Sequence, residues 1–284
     1  MNDLQFKIDA EQCLACEACV TDCPFGVLAM ADQPILENPD NCIACQHCLA
    51  ICPTGALSIL GHHAQDSTDL TGRLPSFAQM DTLIKGRRSI RQYASEPLSA
   101  EMLNTLLTTA WHAPTAVNNQ SVRFTVLDDP TQVKALSDEC WQRLNDMERV
   151  DALPEGPLRN YVNLGKVARQ NNNSDIFFRG APHLIITSSP KSNPAAQTDT
   201  VIALSYLELA AQSMKLATLW NGLAKTLICN IFPDLCGRLS IPTDHLVGGM
   251  MLLGKPAVEY VRTIERAPAN IVRTILAPKE LDLG

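Results

Sequence analysis

One segment of the chain occurs twice, as CLACEACVTDCPFGVL at residues 13–28 and as CIACQHCLAICPTGAL at residues 42–57. Both copies read C-x-x-C-x-x-C-x-x-x-C-P-x-G-x-L, with seven positions repeated at a constant offset of 29 residues. A constant offset over that many positions marks an internal duplication. Each copy is too short to bury a hydrophobic core of its own. Something other than apolar packing must therefore hold this part of the chain together.

The cysteines of the duplicated segment have the spacing of iron–sulfur ligands. A tight C-x-x-C-x-x-C loop supplies three of the four thiolates that a [4Fe–4S] cluster needs, and a cysteine followed by proline supplies the fourth to the other cluster of a two-cluster protein. The spacing therefore predicts two clusters with crossed ligands, which would tie the two copies together. One ligand set is Cys13, Cys16, Cys19 and Cys52, and the other is Cys42, Cys45, Cys48 and Cys23.

Zinc is the main alternative for a cytosolic cysteine cluster. Zinc modules usually present two separated C-x-x-C pairs with a spacer of about a dozen residues or more. Three cysteines within seven residues, followed by C-P and repeated, favour iron–sulfur over zinc. The other three cysteines, Cys140, Cys229 and Cys236, have no ligand spacing and are expected to be small buried apolar side chains.

Over residues 1–60 the chain resembles the bacterial two-[4Fe–4S] ferredoxin family, with every ligand position of the family present. The resemblance implies low-potential transfer of single electrons. We predict a domain at 1–60, a linker at 61–78, which is polar and contains Gly and Pro, and a second domain at 79–284.

Charge is distributed unevenly along the 284 residues. Residues 1–60 hold eight of the 30 acidic residues and one of the 23 basic residues, so the whole net charge of −7 falls in this segment. The acidic balance argues against a nucleic-acid-binding protein. The acidic segment is either an ordinary solvated surface or a docking face for a basic redox partner.

The start of the chain has no cationic and apolar leader, and no run of 18 or more apolar residues occurs. We therefore expect no membrane span and a reducing, cytoplasmic location, where clustered cysteines usually bind metal.

The rest of the chain has a mixed pattern of helices and strands. Helices are predicted to end at 81–85 and to cover 100–112, 130–144 and 199–219, and strands are predicted at 122–127, 183–187 and 246–253. Residues 151–175 are polar and predicted to be irregular. The expected fold class is α+β.

Three arginines cluster in the stretch GRRSIRQY at residues 86–93. If this stretch is extended, Arg87, Ser89 and Arg91 share one face. Two guanidinium groups and a hydroxyl on one face are suited to binding a phosphate. Arg88, between them, belongs to the same candidate cofactor-binding set.

A loop rich in amides follows about 27 residues later, APTAVNNQ at residues 113–120. It lies between a predicted helix and a predicted strand. Asn and Gln side chains offer paired donors and acceptors that suit the polar edge of a flavin ring. Ordinary turn chemistry is the alternative explanation.

The two motifs together resemble the FMN-dependent nitroreductase family, over about residues 79–284. LWNGL at 219–223, LGKP at 253–256 and ERAP at 265–268 resemble further family motifs. The resemblance implies an α+β homodimer with FMN at the subunit interface and backbone at 222–227 near the flavin. The FMN-binding residues that it implies are Arg87, Arg88, Ser89, Arg91, Asn118, Gln120 and Arg266. The sequence departs from the family at two positions. Ala224 stands where glycine is usual, and Ser121 follows Gln120 where the family often has an aromatic residue.

Neither G-x-G-x-x-G after a predicted strand nor G-x-x-x-x-G-K-[ST] occurs, so no separate nicotinamide-binding module is expected. Family members bind NAD(P)H directly over the flavin, so NAD(P)H stays open as a donor. The first hypothesis is an FMN-dependent reductase that takes electrons through two clusters to FMN and then to a nitroaromatic or quinone. The alternative is an electron-transfer adaptor between protein partners, and a third option is the reverse flow of electrons.

Overall fold

The computed structural model describes residues 3–172 and 175–276. Residues 3–60, which include both copies of the duplicated segment, form two pairs of short antiparallel strands and two one-turn helices. Strand β1 (Lys7–Ile8) pairs with β4 (Leu57–Ser58), and β2 (Leu28–Met30) pairs with β3 (Pro34–Leu36). Helices α1 (Ala18–Thr21) and α2 (His47–Ala50) each contain the third cysteine of their loop. The β1–β4 pair brings the two ends of this N-terminal part together.

The apolar core of this part is small. Seven buried side chains form it, with five of the repeat cysteines packed against or within it, and its buried members are Leu4, Cys19, Val27, Leu28, Leu49, Leu57 and Ile59. A core of this size supports the expectation that ligand bonds contribute much of the stability.

Residues 61–76 contain only a short 3-10 turn at Ala64–Asp66. Helix α3 (Phe77–Gly86) follows and begins at a capping box. The hydroxyl of Ser76 accepts a hydrogen bond from the Gln79 backbone N–H, and the Gln79 side chain accepts one from the Ser76 N–H at 2.8 Å. These reciprocal bonds satisfy donors that the first helical turn leaves free, so the boundary between this segment and the helix is sharp.

A four-stranded antiparallel sheet organises the rest of the chain, in the order β5-β6-β8-β7. Its strands are β5 (Arg123–Leu127), β6 (His183–Pro190), β7 (Ala217–Trp220) and β8 (His245–Gly254). The helices are α4 (Ala100–Ala110), α5 (Pro130–Arg149), α6 (Pro157–Asn172), α7 (Ala196–Ser213), α8 (Gly222–Lys225) and α9 (Asp234–Arg238), with a π-helical turn at Thr226–Ile231.

Both faces of the sheet are covered by helices. Neighbouring residues of β6 and β8 point to opposite faces and join different hydrophobic clusters. Leu184 and Ile186 join one hydrophobic cluster with α5 and the segment after β7. Ile185, with Met251 and Leu253, joins a second cluster with α4 and α7. Strands β6 and β8 are apolar at most positions because both of their faces are buried.

Helix α7 approaches β8 at two glycines. A Cβ atom on Gly248 would lie 1.7 Å from Thr200 Oγ1, and one on Gly249 would lie 2.6 Å from a Leu204 methyl. The register of β6 and β8 shifts at this point, and the Gly248 carbonyl accepts a bond from the Lys225 ammonium at 2.9 Å. The two glycines therefore allow α7 to pack closely against β8.

The predicted elements agree with the structure in most places. Helix α4 begins at Ala100, as predicted, and Ser99 caps it with a hydroxyl that accepts a hydrogen bond from the Met102 N–H. Two predictions are wrong. The helix predicted over 199–219 ends at Ser213, and residues 217–220 form the edge strand β7. Residues 151–175, predicted to be irregular, contain the 16-residue helix α6.

The mixture of helices with an antiparallel sheet confirms the α+β fold class. Within the described residues no helix combines the length and the apolar character that a membrane crossing requires.

Candidate functional site

The eight cysteines of the duplicated segment surround two separate cavities. Cys13, Cys16, Cys19 and Cys52 line one, and Cys23, Cys42, Cys45 and Cys48 line the other. Each cavity thus receives three thiols from one repeat and the C-P thiol of the other repeat. The same two groups follow from the sequence spacing. Four thiols around one cavity suit a cubic cluster with four thiolate ligands, and their role as ligands stays a prediction.

Left-handed backbone shapes both cysteine loops in the same way. Ala15 and Glu17 have φ of 49° and 59° in the first loop, and Ala44 and Gln46 have 55° and 59° in the second. Non-glycine residues adopt this conformation at a cost of about 1 kcal/mol or more each. Its recurrence in both repeats indicates that the loops are bent to direct their thiols inward.

The thiols differ in how readily they ionise. Burial raises the pKa of the Cys48 thiol to about 11 and also raises the pKa of Cys19. Burial also opposes ionisation of Cys52, but hydrogen bonds from Thr54 and from the Ala56 and Leu57 backbone together outweigh it and lower the pKa of this thiol. A bound metal must therefore displace protons from buried thiols, most of all in the second loop.

The basic motif lies between β7 and the turn after β8. The Ile90 N–H donates to the Thr218 carbonyl at 3.0 Å, and Ser89 bridges to Thr218 as a parallel partner. On the other side, the Ala94 N–H donates to the Lys255 carbonyl at 2.9 Å. The motif is therefore extended, as the predicted common face of Arg87, Ser89 and Arg91 requires.

The three arginines of the motif have different partners. Arg87 donates through Nη1 to Oε1 of the buried Glu208 at 3.0 Å. Arg88 donates through Nη1 to the carbonyl oxygens of Lys85 and Arg87 at 2.8 and 2.6 Å. Arg91 is exposed and donates to the Ser89 carbonyl at 3.0 Å. Among these side chains, Arg91 is the most accessible to a phosphate.

A further arginine, Arg179, for which no sequence motif provides a signal, lies near enough to Arg91 for the two charges to interact. Burial and the charge of Arg91 lower the pKa of Arg179. Arg179 Nε and the Tyr93 hydroxyl are buried without a hydrogen-bond partner in the described part of the chain. A bound anion would reduce the repulsion between Arg91 and Arg179 and would accept hydrogen bonds from the unpaired donors. This donor set fits the phosphate of a mononucleotide.

The amide-rich loop is held by a buried carboxylate at the start of α7. Asp199 accepts bonds from the Ala116 N–H at 3.2 Å, from the Asn119 amide at 3.3 Å and from the Asn193 amide at 2.9 Å. Val117 and Asn118 adopt left-handed backbone, with φ of 46° and 53°. Two of these bonds, from Ala116 and Asn119, come from the loop itself and hold it in its strained shape.

Two residues predicted to contact a flavin lie in this loop. Gln120 is exposed, its N–H donates to Thr115 Oγ1 at 3.0 Å, and it lines a small cavity with Trp111. The Asn118 amide instead donates to the carbonyl of Ile43, in the second cysteine loop, at 2.9 Å. The structure therefore joins the predicted flavin loop to the predicted cluster loop.

Arg266 lies in an exposed segment after β8 that has no regular secondary structure, and it has no hydrogen bond or ion pair with another described residue. Its neighbour Glu265 lies close enough to contribute, after Asp81, to the raised pKa of Lys85. The segment thus passes the end of α3, beside the start of the basic motif. Nothing in the described chain brings Arg266 to Arg91.

Comparisons with known proteins agree with this two-part organisation. Residues 84–255 match the nitroreductase family, and residues 5–53 match the 4Fe-4S dicluster domain. Similar solved structures include a nitroreductase with bound FMN from Bacteroides fragilis, with 20% identity and a TM-score of 0.56 over 71% of this chain and 100% of that one. An FMN-dependent nitroreductase from Clostridium difficile has 22% identity and a TM-score of 0.52 over 70% of this chain and 100% of that one.

A nitroreductase with bound FMN from Desulfitobacterium hafniense, with 19% identity, has a TM-score of 0.55 over 70% of this chain and 98% of that one. At these identities the likeness concerns the fold. Fold and family match together define an oxidoreductase domain that follows an iron–sulfur domain. The chain belongs to the nitroreductase family, and it carries an N-terminal 4Fe-4S domain. Both resemblances stated from the sequence are confirmed.

Proposed function

We propose that the protein is an FMN-dependent reductase in which electrons reach FMN through two [4Fe–4S] clusters and leave to an organic acceptor of the nitroaromatic or quinone type. The observation that carries the proposal is the hydrogen bond from Asn118 to Ile43, which joins the amide-rich loop to a loop of cluster-type cysteines. A one-electron carrier and a flavin site would then lie in direct contact within one chain.

Each residue set has a defined task in this proposal. Arg91, Arg179 and the Tyr93 hydroxyl would hold the FMN phosphate, and Ser89 and Gln120 would contribute further polar contacts. Asp199 keeps the loop that carries Gln120 in its strained shape. FMN, when bound, supplies the ability to take electrons singly and deliver them in pairs. The chain itself has to position and screen the cofactor.

The electron balance is simple. Reduction of a quinone to a hydroquinone needs two electrons and two protons, so two molecules of a one-electron donor protein are oxidised for each quinone reduced. Reduction of a nitro group to a nitroso group takes the same two electrons and two protons and releases water. The acidic N-terminal part suits a donor protein with a basic docking face. A ferredoxin or a reductase is a possible redox partner, and NAD(P)H is the alternative donor.

We further propose that the protein is a homodimer in the cytoplasm. The described segment after β8, residues 257–276, exposes apolar side chains along its length, including Val272, Ile275 and Leu276. Isolated apolar segments of this kind are normally covered by a partner, and a second copy is the partner that the nitroreductase family suggests. Cysteines clustered around two cavities suit a reducing compartment, where such clusters usually bind metal.

An electron-transfer adaptor without a small substrate is the second candidate. The acidic surface of residues 1–60 favours a protein partner in either case. The two candidates differ in what reoxidises the protein after it has been reduced without oxygen.

The test is a single-turnover experiment. Anaerobically purified protein is first assayed for iron, sulfide and FMN, with about eight irons expected per chain. It is then reduced and mixed with a quinone or a nitroaromatic compound while flavin and cluster absorbance are followed. Rapid reoxidation of both supports the reductase. Reoxidation only by an oxidised carrier protein would favour the adaptor, and zinc in place of iron and sulfide would refute both.

A further inference from the structure

The internal duplication provides a comparison between two equivalent loops in one molecule. Leu14 and Ile43 occupy the same repeat position, as do Glu17 and Gln46. Residues 14–17 are all exposed, with Leu14 67% exposed, whereas residues 43–46 are all half-buried. Because the backbone of the two loops is the same, the difference comes from what lies against the second loop.

The flavin-side loop is what lies against it. The Asn118 amide donates to the Ile43 carbonyl at 2.9 Å. In the described chain, no other hydrogen bond or ion pair joins residues 3–60 to residues 79–172 or 175–276. The first loop, with Leu14, makes no such bond. The contact between the two parts is therefore specific to the second repeat.

Asn118 is held in place for this contact. Its backbone is left-handed, and the residues on either side of it are fixed, because Asp199 binds the Ala116 N–H and the Asn119 amide. A donor mounted on a rigid loop loses little conformational entropy when it binds, so the bond can contribute most of its strength. The loop of the second repeat is thereby fixed relative to the sheet domain.

The two loops also differ in charge. Glu17 of the first loop corresponds to the uncharged Gln46 of the second. Burying an unpaired carboxylate against another domain is costly, so the neutral loop is the one suited to an internal contact. The exposed, acidic loop is suited to a charged partner from solution.

We propose that the two cysteine cavities have fixed places in the electron path: the cavity of Cys23, Cys42, Cys45 and Cys48 is next to the flavin, and the cavity of Cys13, Cys16, Cys19 and Cys52 is on the solvent side. Asn118 is the positioning residue that holds the inner loop against the flavin loop. The inference rests on the proposed function. In each transfer one donor molecule loses one electron at the outer cavity, and the flavin gains one from the inner cavity.

The experiment uses Asn118→Asp and Asn118→Ala in the full-length holoprotein. Asn38→Ala is the matched control, because the Asn38 amide donates to the Gly26 carbonyl at the same 2.9 Å within the N-terminal part. Loss of a hydrogen bond of about 1 kcal/mol corresponds to about fivefold in an equilibrium. We expect hydrogen exchange of the peptide covering 43–46 to rise by about that factor in both Asn118 variants, with the peptide covering 14–17 unchanged.

Electron transfer is measured on the same samples by anaerobic stopped flow, after iron and FMN contents have been shown to match the wild type. We expect flavin reduction by the reduced clusters to slow by up to about fivefold in the Asn118 variants, because a smaller fraction of molecules has the two loops in contact, and to be unchanged in Asn38→Ala. Unchanged exchange at 43–46, or an unchanged rate, would overturn the inference. If the wild-type clusters do not reduce the flavin at all, the proposed function itself fails, which is a separate result.

Discussion

Arg87 and Glu208 form an ion pair, with Arg87 Nη1 3.0 Å from Glu208 Oε1, between the start of the basic motif and the middle of α7. The Glu208 side chain is 10% exposed. The same helix carries Asp199, which holds the amide-rich loop. One helix therefore fixes both segments that the nitroreductase resemblance implies in FMN binding.

The ion pair predicts a stability effect. Glu208→Gln keeps an acceptor but leaves the Arg87 charge without its partner, and we expect a loss of about 1–3 kcal/mol in the free energy of unfolding. Denaturant titration measures it. Glu101→Gln, at an exposed position in α4 without an ion pair, is the control and should change stability by less than about 0.5 kcal/mol. Equal stability of both variants would show that the pair contributes nothing.

Arg179 is predicted to bind the FMN phosphate together with Arg91. Loss of a charged hydrogen bond costs about 1.5–3 kcal/mol, so Arg179→Gln should weaken FMN binding by about 10- to 100-fold. Fluorescence titration of the apoprotein with FMN measures this, and iron content should not change. Arg123→Gln, an exposed arginine on β5 without an ion pair, should bind FMN like the wild type. Normal FMN affinity in Arg179→Gln would remove Arg179 from the site.

The crossed cysteine groups predict which cluster each C-P cysteine serves. Cys23→Ala should damage the cluster of the second loop, and Cys52→Ala should damage that of the first, because each lines the cavity of the other repeat. Iron analysis should show about four of the eight irons retained in each variant. Electron paramagnetic resonance then tells the remaining clusters apart. Identical spectra from the two variants would contradict the crossed grouping.

The packing of α7 on β8 leaves no room beside Gly248. In Gly248→Ala the new methyl group would lie 1.7 Å from Thr200 Oγ1, so we expect a loss of about 1–3 kcal/mol or misfolding. Gly237→Ala in α9 has open space around it and should be neutral or stabilising by up to about 1 kcal/mol. Thermal unfolding of both variants is the measurement. A Gly248→Ala protein as stable as the wild type would mean that the helix can shift.

His183 predicts a pH dependence. Burial lowers the pKa of this histidine below 6.5, and its Nε2 accepts the Leu98 N–H at 2.8 Å. The unfolded chain takes up a proton at a higher pH than the folded one. The buried neutral His183 therefore leaves the free energy of unfolding at its full value above about pH 6.5, and this free energy decreases as the pH falls below that value. His183→Gln should flatten the fall in melting temperature between about pH 6.5 and 5, and a parallel curve would exclude His183.

The cysteine pattern allowed the N-terminal part to be predicted in detail, because ligand geometry requires fixed spacing along the chain. Cys23 and Cys52 could be assigned to opposite groups for the same reason. Periodicity was sufficient for β6 and α4, whose apolar positions repeat regularly. It failed at α7, because the apolar residues of Ala217–Trp220 continue the pattern of the helix although they belong to a strand.

The remaining parts of the candidate site depend on contacts between distant residues. Arg179 meets Arg91 only after the strands have paired, and no local motif around Arg179 indicates this. Asp199 and Glu208 were expected only as parts of a long helix, since their partners at 116 and 87 lie far away in sequence. Asn118 was predicted as a flavin contact, and its bond to Ile43 could not follow from either sequence segment alone.

The exposed loop at 14–17 has a consequence for how such a protein can change over evolutionary time. In the proposed electron path, substitutions there would leave the contact at Ile43 untouched, so the choice of electron donor could change without disturbing the sheet domain. The loop at 43–46 has no such freedom, because each change must still fit the surface that carries Asn118. The proposed path would therefore leave one copy of the duplicated segment free to vary and would constrain the other.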